Sequence, residues 1–121
     1  MTDIRYEASN PEGGPTVILG ASLGTDRFMW REQVQLLPRT WNVVAFDLRG
    51  HGASPISSET PRIDDFADDV ISIADDLGVD RFAFCGLSIG GVIGQSLGAR
   101  YPDRLNSLVL ASTGLTILSR Q

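Results

Sequence analysis

At 121 residues the chain is the size of one domain, and its 42% of apolar residues supplies a core for it. The net charge of -5, with all ten basic residues arginine and scattered, excludes a nucleic-acid partner, whose phosphates demand a concentrated basic face. Apolar runs such as Thr16 to Leu19 and Leu108 to Ala111 fall far short of the roughly 20 residues that span a bilayer, which excludes a membrane helix.

Met1 to Arg5 carries no basic start followed by an apolar stretch, so no secretory signal is read and a cytoplasmic protein is expected. The lone Cys85 cannot form an internal disulfide, which agrees.

In chain order, Ile4 to Ala8 reads as a short strand and Asn10 to Pro15 as a turn cluster. Val17 to Leu19 is a buried strand. Asp26 caps a helix from about Arg27 to Leu37, with Phe28, Trp30, Val34 and Leu37 as its apolar set and Pro38 as its stop. Asn42 to Phe46 is the next buried strand, and Asp47 to Pro61 a long loop rich in Gly, Ser and Pro.

A helix then runs from about Ile63 to Leu77 and is closed by Gly78. Its carboxylates, Asp64, Asp65, Asp68, Asp69, Asp75 and Asp76, fall opposite the apolar stripe of Ile63, Phe66, Val70, Ile73, Ala74 and Leu77. They read as a solvated face and not as a metal site, because no His or Cys joins them. Strand Arg81 to Cys85, helix Ser88 to Arg100, the stop Tyr101-Pro102, a solvated turn at Asp103 and Arg104, and strand Ser107 to Leu110 complete the pattern.

Strands that alternate with helices, and are apolar throughout, predict an α/β fold: a mostly parallel sheet with helices on both faces. No repeat, low-complexity tract or linker divides the chain. Ligands of such folds bind outside the carboxyl ends of the strands, so the chemistry is expected in the loops Gly20 to Asp26, Asp47 to Pro61 and Gly86 to Gly91.

Two of these loops carry Gly-x-Ser-x-Gly: Gly20-Ala21-Ser22-Leu23-Gly24 and Gly86-Leu87-Ser88-Ile89-Gly90. A nucleophile elbow needs its serine at a tight strand-to-helix junction with small neighbours. Ser88 meets this requirement: Gly86 and Gly90 flank it, and a helical segment containing Gly91, Gly94 and Gly98 begins at once. After Ser22 four residues intervene before the helix, so that segment is a loop.

Ser88 is therefore the candidate nucleophile. The backbone N–H groups of Ile89 and Leu23 are the candidate oxyanion donors, one after the nucleophile and one from the neighbouring loop. The plainer alternative is that Ser88 only caps its helix and Ser22 only makes a turn. His51 is the sole imidazole, but it precedes the serine. In hydrolases built on this elbow the order is Ser, acid, His, so His51 reads as a turn residue and the triad acid and His are absent from the chain. Cys85, inside an apolar strand, reads as buried and unreactive.

Three segments, Ala21 to Asp26 with Met29-Trp30, then Phe46 to Ser54, then Phe84 to Gly91, resemble the α/β-hydrolase superfamily in content and order, and within it the 3-oxoadipate enol-lactonases. The lactonase resemblance rests mainly on Ser22-Leu23-Gly24-Thr25-Asp26, where many relatives carry His-Gly. It implies cofactor-free, metal-free hydrolysis of 3-oxoadipate enol-lactone in bacterial breakdown of aromatic compounds. Ser88 would attack the carbonyl, the Leu23 and Ile89 amides would hold the oxyanion, and a histidine held by an acid would move the proton.

Members of the family run to about twice this length, with a helical lid and last strands that carry acid and His. The resemblance thus covers an amino-terminal portion of one domain, expected to be inactive alone. It leaves the strand Ser107 to Leu110 as an exposed sheet edge, and with it self-association or a complementing carboxy-terminal segment as expected partners. Alternatives are another esterase, amide hydrolase or cofactor-free haloperoxidase on the same elbow, or a non-catalytic hydrolase remnant that binds a small carbonyl ligand or a partner protein.

Overall fold

The computed structural model describes residues 2–22, 24–56 and 59–111. Five strands form one sheet in the order β1-β3-β2-β4-β5: β1 Tyr6–Ala8, β2 Thr16–Gly20, β3 Asn42–Phe46, β4 Phe82–Leu87 and β5 Leu105–Ala111. β2, β3, β4 and β5 pair in parallel and β1 pairs antiparallel to β3. β3 matches its expected bounds and is buried at every residue, as a strand covered on both faces must be. β4 and β5 run longer than the sequence pattern indicates, because Gly86, Leu87 and Ala111 still join the ladder.

Helices cover both faces. On one side lie α2, Ile63–Asp76, and α3, Ile89–Arg100, packed through Phe66, Val70, Ile73, Val92, Ile93 and Leu97 onto Ile18, Val44, Phe46, Phe82 and Phe84. Each large apolar side chain buried there contributes about 1.5–3 kcal/mol of transfer free energy. α3 lies close enough to the sheet that a Cβ on Gly94 would sit 2.6 Å from Leu110 Cδ2, which accounts for the small residues along it.

The other face is covered by a 3-10 turn, Arg27–Trp30, leading into the short helix α1, Arg31–Leu36. The sequence reads this stretch as a single helix. Asp26 does cap it, accepting from Phe28 N–H at 3.0 Å, but the first turn is wound more tightly, and Trp30 packs with Leu19, Ala21, Val43 and Ala45.

The acidic face of α2 lies opposite the buried stripe as expected, with Asp64, Asp68, Asp75 and Asp76 exposed, and it also carries ion pairs that the sequence reading did not include. Asp69 accepts both arms of the Arg49 guanidinium at 2.7 Å, Arg100 pairs with Asp68 at 2.9 Å, and Asp75 pairs with Arg104 at 2.8 Å. Asp76 accepts from the Tyr6 hydroxyl, which pushes the phenol up to about 12. One surface expectation is corrected: Arg104 is not a solvated turn residue, since it also donates to the carbonyls of Asp80 and Val79 and so ties the start of β5 to the end of α2. These partners are far apart in sequence and meet because the fold brings the loop after β3, the end of α3, the turn before β5 and β1 against the polar face of α2.

β5 stands at the edge of the sheet among the described residues, with Val109 and Leu110 exposed. No helix among the described residues is long and apolar enough to cross a membrane.

Candidate functional site

The parallel strands β2, β3 and β4 send their carboxyl ends to one rim of the sheet, where the three loops singled out in the sequence leave it. Ser88 sits there between β4 and α3 with φ 57° and ψ -115°, the only non-glycine residue at positive φ among the described residues. That conformation costs about 1–3 kcal/mol and persists only where its surroundings impose it.

The surroundings can be named. Ser88 N–H donates to Ala111 O at 2.9 Å, and Ser88 O accepts from Gly91 N–H at 2.9 Å and Val92 N–H at 3.2 Å, so the turn is fixed from both sides. A Cβ on Gly86 would lie 2.1 Å from Gly90 O, and one on Gly90 would lie 2.5 Å from Gly20 O. Both glycines are therefore required by backbone contact, which no rotamer change could relieve.

The Ser88 side chain makes no capping bond to its helix, so the plainer reading of Ser88 as a cap does not describe it. The N–H of Ile89, first residue of α3, likewise has no acceptor among the described residues. A hydroxyl and an amide so placed at a helix N-terminus suit a group that acquires negative charge there.

The neighbouring loop is built differently. Ser22 N–H points to Met29 Sδ at 3.5 Å, and Ser22 O accepts from Thr25 Oγ1 at 2.6 Å and more weakly from Thr25 N–H at 3.4 Å. Leu23, the second expected oxyanion donor, lies outside the described residues.

Beyond Thr25 the loop is anchored by Asp47, a fully buried carboxylate that accepts from Arg27 N–H at 2.6 Å, Arg27 Nη1 at 2.7 Å and Ala53 N–H at 2.9 Å. Burial works against the Arg27 charge. The Glu7 hydrogen bond and the charges of Asp47 and Glu7 outweigh it and hold the guanidinium pKa above its ordinary value. Sequence reasoning missed this clamp. Its one trace is an Asp at the end of an apolar strand with a glycine five residues on: a Cβ on Gly52 would lie 2.4 Å from Asp47 Oδ2.

His51 is a turn residue here, its N–H on Leu48 O at 2.9 Å and its Nδ1 3.2 Å from Arg49 O. Cys85 is only half-buried, less than its strand position suggested, and burial pushes its thiol pKa up. Among the described residues no group of three or more His, Cys, Asp or Glu side chains is arranged to hold a metal ion. A cleft of about 750 Å³ lies between the start of α2 and the second half of α3, lined by Pro61, Ile63, Ser96, Ala99 and Arg100 among others, and Ser88 is not part of it.

Comparison with known proteins gives this rim a context. The chain is 36% identical over 114 residues to 3-oxoadipate enol-lactonase 2 of Acinetobacter baylyi, a match covering 94% of this chain and 43% of that one. The crystal structure of the enol-lactonase from Burkholderia xenovorans LB400 superposes with a TM-score of 0.83 at 36% identity, over 91% of this chain and 43% of that one. A thermophilic esterase from Thermogutta terrifontis superposes with a TM-score of 0.86 at 30% identity, over 92% and 40%. The chain therefore spans about two fifths of the length of these relatives. The profile of the alpha/beta hydrolase fold matches residues 14–120, so nearly the whole chain belongs to the α/β-hydrolase family.

Proposed function

We propose that this chain is the nucleophile-bearing, amino-terminal portion of a serine hydrolase domain that opens a small lactone, with 3-oxoadipate enol-lactone the first candidate. The observation that carries this reading is the conformation of Ser88, held at φ 57° with its hydroxyl, like the N–H of Ile89 beside it, making no hydrogen bond among the described residues. The likeness to the Acinetobacter and Burkholderia enol-lactonases supports the substrate class.

In the reaction Ser88 Oγ adds to the lactone carbonyl carbon and its proton passes to a base. The carbonyl oxygen becomes an oxyanion facing the amides of Ile89 and Leu23, and collapse breaks the ring C–O bond to leave an acyl-serine. Water then attacks that acyl group with the same base assisting, which frees the open acid and restores Ser88. No metal or cofactor takes part.

In this reading His51 is not the base, because it precedes Ser88 in the chain whereas hydrolases built on this elbow place their histidine after the serine. The triad acid and histidine come from polypeptide outside these 121 residues. Without them Ser88 is an ordinary alcohol, and the chain alone is expected to be nearly inactive. Hydrolases that lose one triad member still keep about 10³–10⁴-fold acceleration over water, so weak turnover alone does not show a complete site.

A simple carboxylic ester is the second reading, favoured by the likeness to the Thermogutta esterase. A non-catalytic binding role is the third, and it predicts ligand binding with no turnover at all.

The test is hydrolysis of 3-oxoadipate enol-lactone, with p-nitrophenyl acetate alongside, by the chain and its Ser88→Ala variant at matched folding. Turnover present in the chain and lost in the variant supports the nucleophile assignment and points to a base supplied from an unexpected place. Equal rates mean that Ser88 does no chemistry in this chain as it stands. Ser88-dependent turnover of the ester but not the lactone would replace the substrate assignment.

A further inference from the structure

The two Gly-x-Ser-x-Gly segments are rivals in the sequence and neighbours in the fold. β2 and β4 are adjacent parallel strands, and their register pairs Gly20 with Gly86. Ser22 and Ser88 therefore each stand two residues beyond a paired glycine, on strand ends about 4.8 Å apart, the ordinary spacing in a sheet. The close approach of Gly90 to Gly20 O keeps the two loops together where they leave the sheet.

Serines in turns commonly spend their hydroxyl on nearby backbone groups. Here Thr25 does that work: its hydroxyl takes Ser22 O, while Ser22 N–H is directed to Met29 Sδ. The Ser22 backbone is thereby fixed, and its own hydroxyl, on a half-buried residue, has no hydrogen-bond partner among the described residues. A positioned donor at the carboxyl rim, one strand away from Ser88, is available to a ligand.

We propose that Ser22 is a substrate-contacting, specificity-determining residue. Its hydroxyl donates a hydrogen bond to the carbonyl oxygen of the ester or lactone group held at Ser88. The proposal rests on the reading of Ser88 given above and adds to it a side-chain donor beside the backbone amides. Ser22 gives up no proton in this role; it supplies a hydrogen bond that shortens as charge develops on the carbonyl oxygen.

The test uses binding, so that it does not depend on turnover. The ¹⁵N-labelled chain is titrated with γ-butyrolactone while the amide signals of Ile89 and Gly90 are followed. A saturable shift is expected in the chain and in Ser88→Ala. Ser22→Ala should weaken the affinity about three- to tenfold, the range for losing one neutral hydrogen bond, and Ser22→Thr should recover most of that loss. Should Ser22→Ala lose its dispersed spectrum, Ser22→Gly takes its place in the comparison.

Unchanged affinity in the well-folded variant overturns the proposal, and so does the absence of any shift at Ile89 in the parent chain. Ser22-dependent binding without Ser88-dependent hydrolysis would keep this assignment and show only that Ser88 does no chemistry in these 121 residues by themselves.

Discussion

The segments from Gly20 to Gly24 and from Gly86 to Gly90 share one five-residue pattern, follow adjacent parallel strands and pair at their first glycine, yet they fold differently. After Ser88 the backbone turns at once into α3, forced through positive φ by contacts among Gly86, Gly90 and Gly20. After Ser22 the chain makes a wider loop, held by side chains: Thr25 and Met29 from within, Asp47 and Arg27 from beyond. One turn is set by what its backbone cannot avoid touching, the other by bonds that substitution can remove. An elbow thus depends less on the spacing of its glycines than on whether the following residues are small enough to start a helix against the sheet.

The largest effect is expected where the side-chain-held loop is anchored. Asp47→Ala removes a fully buried carboxylate and leaves the Arg27 guanidinium, itself 10% exposed, without its inner partner. Breaking such a pair costs about 3–5 kcal/mol, to be read from urea unfolding. Hydrogen exchange should then rise first at the Arg27 and Ala53 amides that Asp47 holds. Uniform exchange across the chain, with no early loss at those two, would mean that Asp47 does not set the loop.

Next in size is Gly86→Ala, whose Cβ would meet backbone atoms of Gly90 and Gly91 at 2.1–2.7 Å. Overpacking against backbone is expected to cost about 3 kcal/mol. Gly24→Ala is the matched control in the other motif, because a Cβ there meets nothing within 4 Å and only the φ of +76° is strained, at about 1–2 kcal/mol. Equal costs at the two positions would remove the distinction between the turns.

Much of this arrangement is legible in the sequence. The apolar run at Asn42–Phe46 is a strand covered on both faces, and the small residues after Ser88 mark the tight junction, because both signals are local. What escapes is relational. That Ser22 and Ser88 leave neighbouring strands follows from strand order, and nothing in either motif states that β2 lies between β3 and β4. The arginines on the α2 carboxylates come from 20 to 36 residues away, and charge counting alone pairs none of them with a particular carboxylate. The short β1 pairs antiparallel to β3, a direction that its three residues do not encode.

The smallest effect has the most telling sign. At Ser88 the backbone strain of about 1–3 kcal/mol is one that glycine does not pay, while glycine's extra freedom in the unfolded chain costs about 0.5–1 kcal/mol. Ser88→Gly should therefore stabilise the fold by about 1 kcal/mol, raising the melting temperature by about 4 °C. At Ser22, which does not sit at positive φ, only the unfolded-state cost remains, and Ser22→Gly should destabilise by about 0.5–1 kcal/mol. Opposite signs from one substitution in two copies of one motif would locate the strain at Ser88 alone. A stabilised variant that has also lost its hydroxyl would show that the fold tolerates this serine at a cost, as expected of a residue kept for chemistry. Destabilisation at both positions would instead make the Ser88 conformation unstrained, and the elbow would lose its strongest physical argument.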